Sequence, residues 1–132
     1  MTIIESSVEL NLPIEKVYQF LADLNNHQQL MPENIQDWSS TADEASFTIQ
    51  NMAKLAIKIS TRVPNSEIIA IPTEKAPFDV ELKWTVEPTD NGGTIAKHII
   101  SADLNMMMKM LASGPLQKLA NYQTQKLKEV LA

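Results

Sequence analysis

Only one stretch of this 132-residue chain can form a long helix, and it is the last one, Asp103 to Ala132. Upstream the chain reads as one short helical segment followed by β-strands. A single long helix and many strands leave few ways to close a core, because the apolar side of the helix must lie on one face of a sheet. The stretch opens with a sulfur-rich run, Met106-Met107-Met108-Lys109-Met110-Leu111, and Gly114-Pro115 interrupts it. Proline inside a helix removes a hydrogen bond and clashes with the preceding turn, so the rigid helix is expected to start at Pro115 or to kink there. Beyond it Leu116, Leu119, Ala120, Gln123, Leu127, Val130 and Leu131 make a coherent stripe. The methionine run has no single apolar face.

The strands are read from alternation. Ile4, Ser6, Val8 and Leu10 form the less polar face of a first strand. Pro13 then suits the first turn of a helix, where its missing N–H costs nothing, and Val17, Phe20, Leu21 and Leu24 recur at helical spacing up to Asn25-Asn26. A short turn follows from His27 to Met31. Candidate strands then run from Ile35 to Ser40, over Ala45, Phe47 and Ile49, and over Ala53, Leu55, Ile57, Ile59, Thr61 and Val63 on one parity. Turns are expected at 41–44, at Gln50-Asn51 and at Pro64-Asn65-Ser66, and a loop from Thr73 to Pro77. Glu67 to Ile71 is a short strand. Val80, Leu82, Trp84 and Val86 alternate, Asp90-Asn91-Gly92-Gly93 is a hairpin signal because those residues accept positive φ, and Thr94, Ala96, His98, Ile100, Ala102 and Leu104 share a face.

Leu12-Pro13-Ile14-Glu15-Lys16-Val17-Tyr18-Gln19-Phe20-Leu21-Ala22-Asp23, with the order of elements around it, resembles the SRPBCC superfamily. That group has the helix-grip fold and includes START lipid-transfer domains, polyketide aromatase/cyclases and Bet v 1-like carriers. The resemblance implies an α+β fold over residues 1–132 as one domain: a curved antiparallel sheet of about seven strands wrapped around the C-terminal helix, with two short helices after the first strand. It also implies a ligand cavity between sheet and helix. The subfamily stays open, because Asn25 to Pro32 replace a frequent Trp-Pro pair and the chain has only three glycines.

Bulk properties exclude several classes. There are no cysteines, so disulfide, thiolate and Cys-based zinc chemistry are absent and a cytoplasmic location is expected. The net charge of -5, with basic residues scattered, argues against nucleic acid. No window reaches the roughly 20 apolar residues of a membrane span, and no nucleotide-binding glycine motif or nucleophile elbow occurs.

The candidate site residues are those expected on the concave face. Trp84, Leu82, His98, Ile100, Ile57 and Ile59 come from strands, and Leu119 and Gln123 from the helix. Met107, Met108 and Leu111 are expected as a soft wall or gate, since thioethers adapt to irregular partners; gap-filling in the core is the ordinary alternative. His98 is the single candidate for acid–base work, but it has no evident carboxylate on its parity, and a hydrogen-bonded core histidine is the simpler reading. His27 is expected to be exposed near a loop, Trp38 near the cavity entrance, and Asp103 as the helix cap. Ser6 and Thr61 are expected to offer hydroxyls to a ligand. No catalytic set, metal site or cofactor is expected. The preferred function is binding or transport of a small hydrophobic or amphipathic ligand such as a lipid, polyketide or aromatic compound. The alternatives are a cyclase or dehydratase using His98 and a protein-interaction module such as a chaperone-ATPase activator. A homodimer is compatible with all three.

Overall fold

The computed structural model describes residues 2–50, 53–73 and 79–131. Asn51 of the expected Gln50-Asn51 turn and residues 74–77 of the expected Thr73–Pro77 loop therefore lie outside the described residues. The elements follow in the order β1 (Thr2–Leu10), α1 (Ile14–Leu21), α2 (Leu24–His27), a 3-10 turn (Gln28–Leu30), β2 (Ile35–Ser40), β3 (Glu44–Ile49), β4 (Ala53–Val63), β5 (Glu67–Pro72), β6 (Val80–Pro88), β7 (Thr94–Ala102) and α3 (Met106–Val130). The seven strands form one antiparallel sheet in the order β1-β7-β6-β5-β4-β3-β2. The helices α1 and α2 carry the chain from one sheet edge to the other. The sheet curls into a half-barrel, and α3 lies against β1 and β7.

Two bulges contribute to the curl, since an extra residue bends a strand and raises its twist. One lies in β2 between Gln36 and Ser39, with Asp37 at φ 56°. The other lies in β4 between Ile59 and Thr61, and it corrects the single parity expected for that strand. Leu55 and Ile57 are buried and Ile59 half-buried, as alternation requires, but beyond the bulge Thr61 and Val63 are exposed. Arg62 now stands opposite the buried Ile68. Its guanidinium donates to the Ala22 carbonyl from Nε and Nη2 (3.0 and 2.8 Å) and to the Ala42 carbonyl (3.0 Å), and Nη1 pairs with Asp43 at 2.8 Å. Ala22 is the C-cap of α1, where a cation is favoured. One side chain thus ties β4 to α1 and to the β2–β3 turn.

The long helix differs from expectation in two ways. It runs unbroken through Pro115. Pro115 is exposed, so its ring faces solvent, and the carbonyl it leaves without an N–H belongs to Leu111, which is also exposed. Water can take up that carbonyl, so the helix does not have to start at Pro115 and begins at Met106 instead. The cap is Asn105, not Asp103: Asn105 Oδ1 accepts from the Met108 N–H at 2.8 Å. The Asp103 N–H instead donates to the Asp79 carbonyl.

The core falls into three clusters. Around the C-terminal half of α3, Leu127 packs with Val17, Leu21, Trp84, Val86 and Ala96. Nearer its start, Ala112, Leu116 and Ala120 pack with Ile4, Ile100 and Ala102. Away from α3, Leu24, Ile35, Phe47, Ile49, Leu55 and Ile57 form the third. Half-buried Leu82 and Leu119 touch both of the last two. The site lies where these clusters fail to merge.

Candidate ligand cavity

Register sets the site, because residues opposite each other on antiparallel strands point to the same face. One lateral row reads Ser6, His98, Trp84, Ile68, Arg62 across β1, β7, β6, β5 and β4. Its two ends are committed to the scaffold. The Ser6 hydroxyl shares a hydrogen bond of 2.7 Å with Thr124 Oγ1 on α3, and Arg62 clamps α1. The next row, Ile4, Ile100, Leu82, Ala70, Ile59, is wholly apolar. A cavity of about 50 Å³ lies over these rows. Its walls are Ile57, Ile59, Leu82, Trp84, His98 and Ile100 from the sheet, Leu116, Leu119 and Gln123 from one face of α3, and His27 and Met31 from the α2 side. Trp38 also borders it, stacked on Phe47 at 5.3 Å, with its indole N–H donated to Ser40.

Of the residues anticipated from sequence, Ile57, Ile59, Leu82, Trp84, His98, Ile100, Leu119 and Gln123 therefore meet around one space. Met107, Met108 and Leu111 do not. Met107 and Leu111 are 71% and 68% exposed, and neither they nor half-buried Met108 line the cavity. The reason is the continuous helix: with Asn105 as cap, Ala112 and Leu116 face the sheet and the methionines are carried past its edge. The two hydroxyls are also placed elsewhere, Ser6 on Thr124 and Thr61 exposed. The cavity is also smaller than the roughly 300–1,000 Å³ expected for a site of this kind. At about 10–15 Å³ per water it has room for roughly four water-sized groups.

His27 is the residue sequence reasoning misplaced. It is buried, lines the cavity, and meets the Trp84 ring edge-on at 6.4 Å. Its Nε2–H donates to the Leu21 carbonyl at 2.8 Å, which leaves Nδ1 as an acceptor. The short α2 turn, capped by Asp23 on the Asn25 N–H, turns this histidine inward. The available signal was its position three residues after Leu24, on the inner face of a helical turn.

The His98 ring stacks parallel on Trp84 at 4.3 Å. Burial pushes the His98 pKa down to about 3; His27 adds to the effect and Gln123 opposes it. His27 is also pushed down by burial, against the opposing pull of the Leu21 carbonyl and Asp23. Both rings are therefore neutral near pH 7. At the polar end of the cavity the Gln123 side chain lies within hydrogen-bonding reach of the His98 ring, although neither His98 Nδ1 nor Gln123 Oε1 makes a well-aligned bond, and Gln123 Nε2 donates to Met31 Sδ at 3.4 Å. Among the described residues no cluster of three or more His, Asp or Glu could hold a metal ion, and no helix is long and apolar enough to cross a membrane.

No family model and no curated protein matches the chain. Solved structures do. A protein of Thermus thermophilus superposes with a TM-score of 0.79 at 14% identity, covering 98% of this chain and 97% of that one. A START superfamily protein from Mycobacterium smegmatis gives 0.69 at 14% identity, covering 97% and 98%. The Aha1 dimer from Colwellia psychrerythraea gives 0.70 at 17% identity, covering 99% and 96%. At such identities the likeness carries the fold alone: this chain has the START-like helix-grip fold.

Proposed function

We propose that this chain binds a small, mainly apolar ligand in the cavity between the curled sheet and α3. The observation that supports the reading is the cavity itself, walled by aliphatic and aromatic side chains from six strands and two helices, with one polar end. Burial of apolar ligand surface at about 25 cal/mol per Å² supplies the affinity. The size favours a compact guest over a long acyl chain. Half-buried Met31, Leu82 and Leu119 are the walls free to give way for a larger guest. Proton transfer is the weaker reading. A cyclase would need an acid and a base, and a His98 pKa of about 3 makes a feeble base and no acid near neutrality.

A specific observation supports self-association as a second role. Met106, Met107, Met110 and Leu111 are 68–82% exposed on the first turns of α3, a large apolar surface for a monomer to leave in water. Native mass spectrometry of gently purified protein reads both proposals at once. The expected spectrum holds a co-purified organic molecule of low mass and a dimer. Ligand-free protein that also takes up no small aromatic compound would refute binding, and a monomer at all concentrations would refute the dimer.

A further inference from the structure

Four apolar side chains stand outward on the first turns of α3. Met106 lies next to Met110 and Met107 next to Leu111, because residues four apart share a helical face, and the two rows adjoin. Met106, Met107, Met110 and Leu111 are 82%, 71%, 81% and 68% exposed, whereas Ala112 and Leu116 on the same turns are buried against the sheet. Together the four leave on the order of a few hundred Å² of apolar surface in water, the size at which a patch marks an interaction site. A standard interface buries about 800 Å² per partner, so this face can form the apolar centre of one. The stretch 103–116 holds one acidic residue, Asp103, and one basic residue, Lys109. A lipid surface or a nucleic acid calls for clustered basic side chains, which one lysine does not provide. A second copy brings the same two apolar rows, and the facing stretches carry no net charge to oppose contact, although the whole chain carries -5.

Three of these four side chains are thioethers, and the chain has no cysteine to compete for an oxidant. Resting on the self-association reading above, we infer that this face is a reversible oxidation site, at which a peroxide converts Met106, Met107 and Met110 to sulfoxides and so releases the dimer. With hydrogen peroxide, the sulfur lone pair attacks one peroxide oxygen. The O–O bond breaks, an S–O bond forms, sulfur gives up two electrons and water leaves. A sulfoxide is polar and accepts hydrogen bonds, so burying it again without a donor is unfavourable. The face pairs with itself about a two-fold axis, so each oxidised position counts twice per dimer. The fold is spared, because in the monomer these side chains already stand in water. Met31 differs. It is half-buried on the cavity wall, with its Sδ accepting from Gln123, and is shielded from the oxidant.

Sedimentation of the full chain before and after hydrogen peroxide tests this, with peptide mass spectrometry to place the added oxygens. Sulfoxides are expected at Met106, Met107 and Met110 ahead of Met31. The dimer dissociation constant should rise about a hundredfold, from a buried polar group repeated on both sides of the interface, and methionine sulfoxide reductases should restore it. Met106→Leu, Met107→Leu and Met110→Leu combined keep the face apolar without sulfur, so that variant should dimerise and ignore peroxide. A second readout needs no variant: in the wild type, oxidation at these three positions should slow as protein concentration rises and the dimer covers them. Oxidised wild type that dimerises as before, or a leucine variant that loses its dimer to peroxide just as readily, overturns the inference and leaves self-association standing. Untreated wild type that stays monomeric at all concentrations overturns both.

Discussion

Acidification from pH 7 to pH 4 should strip about 3 kcal/mol from the stability of this protein through His98 alone. In the unfolded chain the imidazole titrates near 6.5, whereas in the folded protein burial holds it neutral down to about 3. Between those values the unfolded state binds a proton that the folded state does not, so stability falls as pH falls. The contribution is fully present above pH 6.5 and is lost progressively toward pH 3, at about 1.4 kcal/mol per pH unit. His27, shifted in the same direction, steepens the slope. Typical domains have only about 5–15 kcal/mol to lose, so the effect should be plain in urea denaturation measured at a series of pH values. His98→Leu should flatten much of the slope between pH 6.5 and 4, and a further His27→Leu most of what remains. Identical slopes in wild type and His98→Leu would show that the ring is not held neutral by burial.

Leu127→Ala should cost about 2–5 kcal/mol, the range for truncating a fully buried leucine. Leu127 has no exposed surface and sits in the cluster that joins α3 to α1, Trp84 and Val86. Leu119→Ala, one helical face away, should cost less, because Leu119 is already half-buried against the cavity. It should also enlarge the cavity and bind toluene more tightly. Met107→Ala and Leu111→Ala should change stability by no more than about 0.5 kcal/mol, as exposed positions do. Urea midpoints for the four variants check the set. Equal losses for Leu127→Ala and Leu119→Ala would remove the distinction between a brace and a cavity wall on α3.

The regular parts of this architecture were open to sequence reasoning. Alternation put Trp84 and His98 each on the expected concave face of its own strand, and the β6–β7 register stacks them. The spacing Leu116, Leu119, Gln123 put three cavity residues on one side of the helix. What could not be read follows from tertiary context. The β4 bulge falls at Ser60, without a glycine or proline to mark it, yet it reverses the faces of Thr61, Arg62 and Val63. Pro115 reads as a break because local rules penalise it, but its exposure lets solvent absorb the lost bond. With the helix continuous, the methionine run is carried clear of the cavity it was expected to gate. His27 is turned inward by the docking of α2 against Trp84, a contact between residues 57 positions apart. The volume of the cavity depends on how well the three clusters merge, which no periodicity encodes.

The central claim is that the space between the sheet and α3 is a binding site and not a packing defect. A crystal structure of the protein equilibrated with toluene tests it most directly. The account predicts density for the ring against Leu82, Trp84 and Leu119, with Met31 or Leu119 moved to admit it. Toluene bound only at the outer surface, with the cavity walls unmoved, would contradict it.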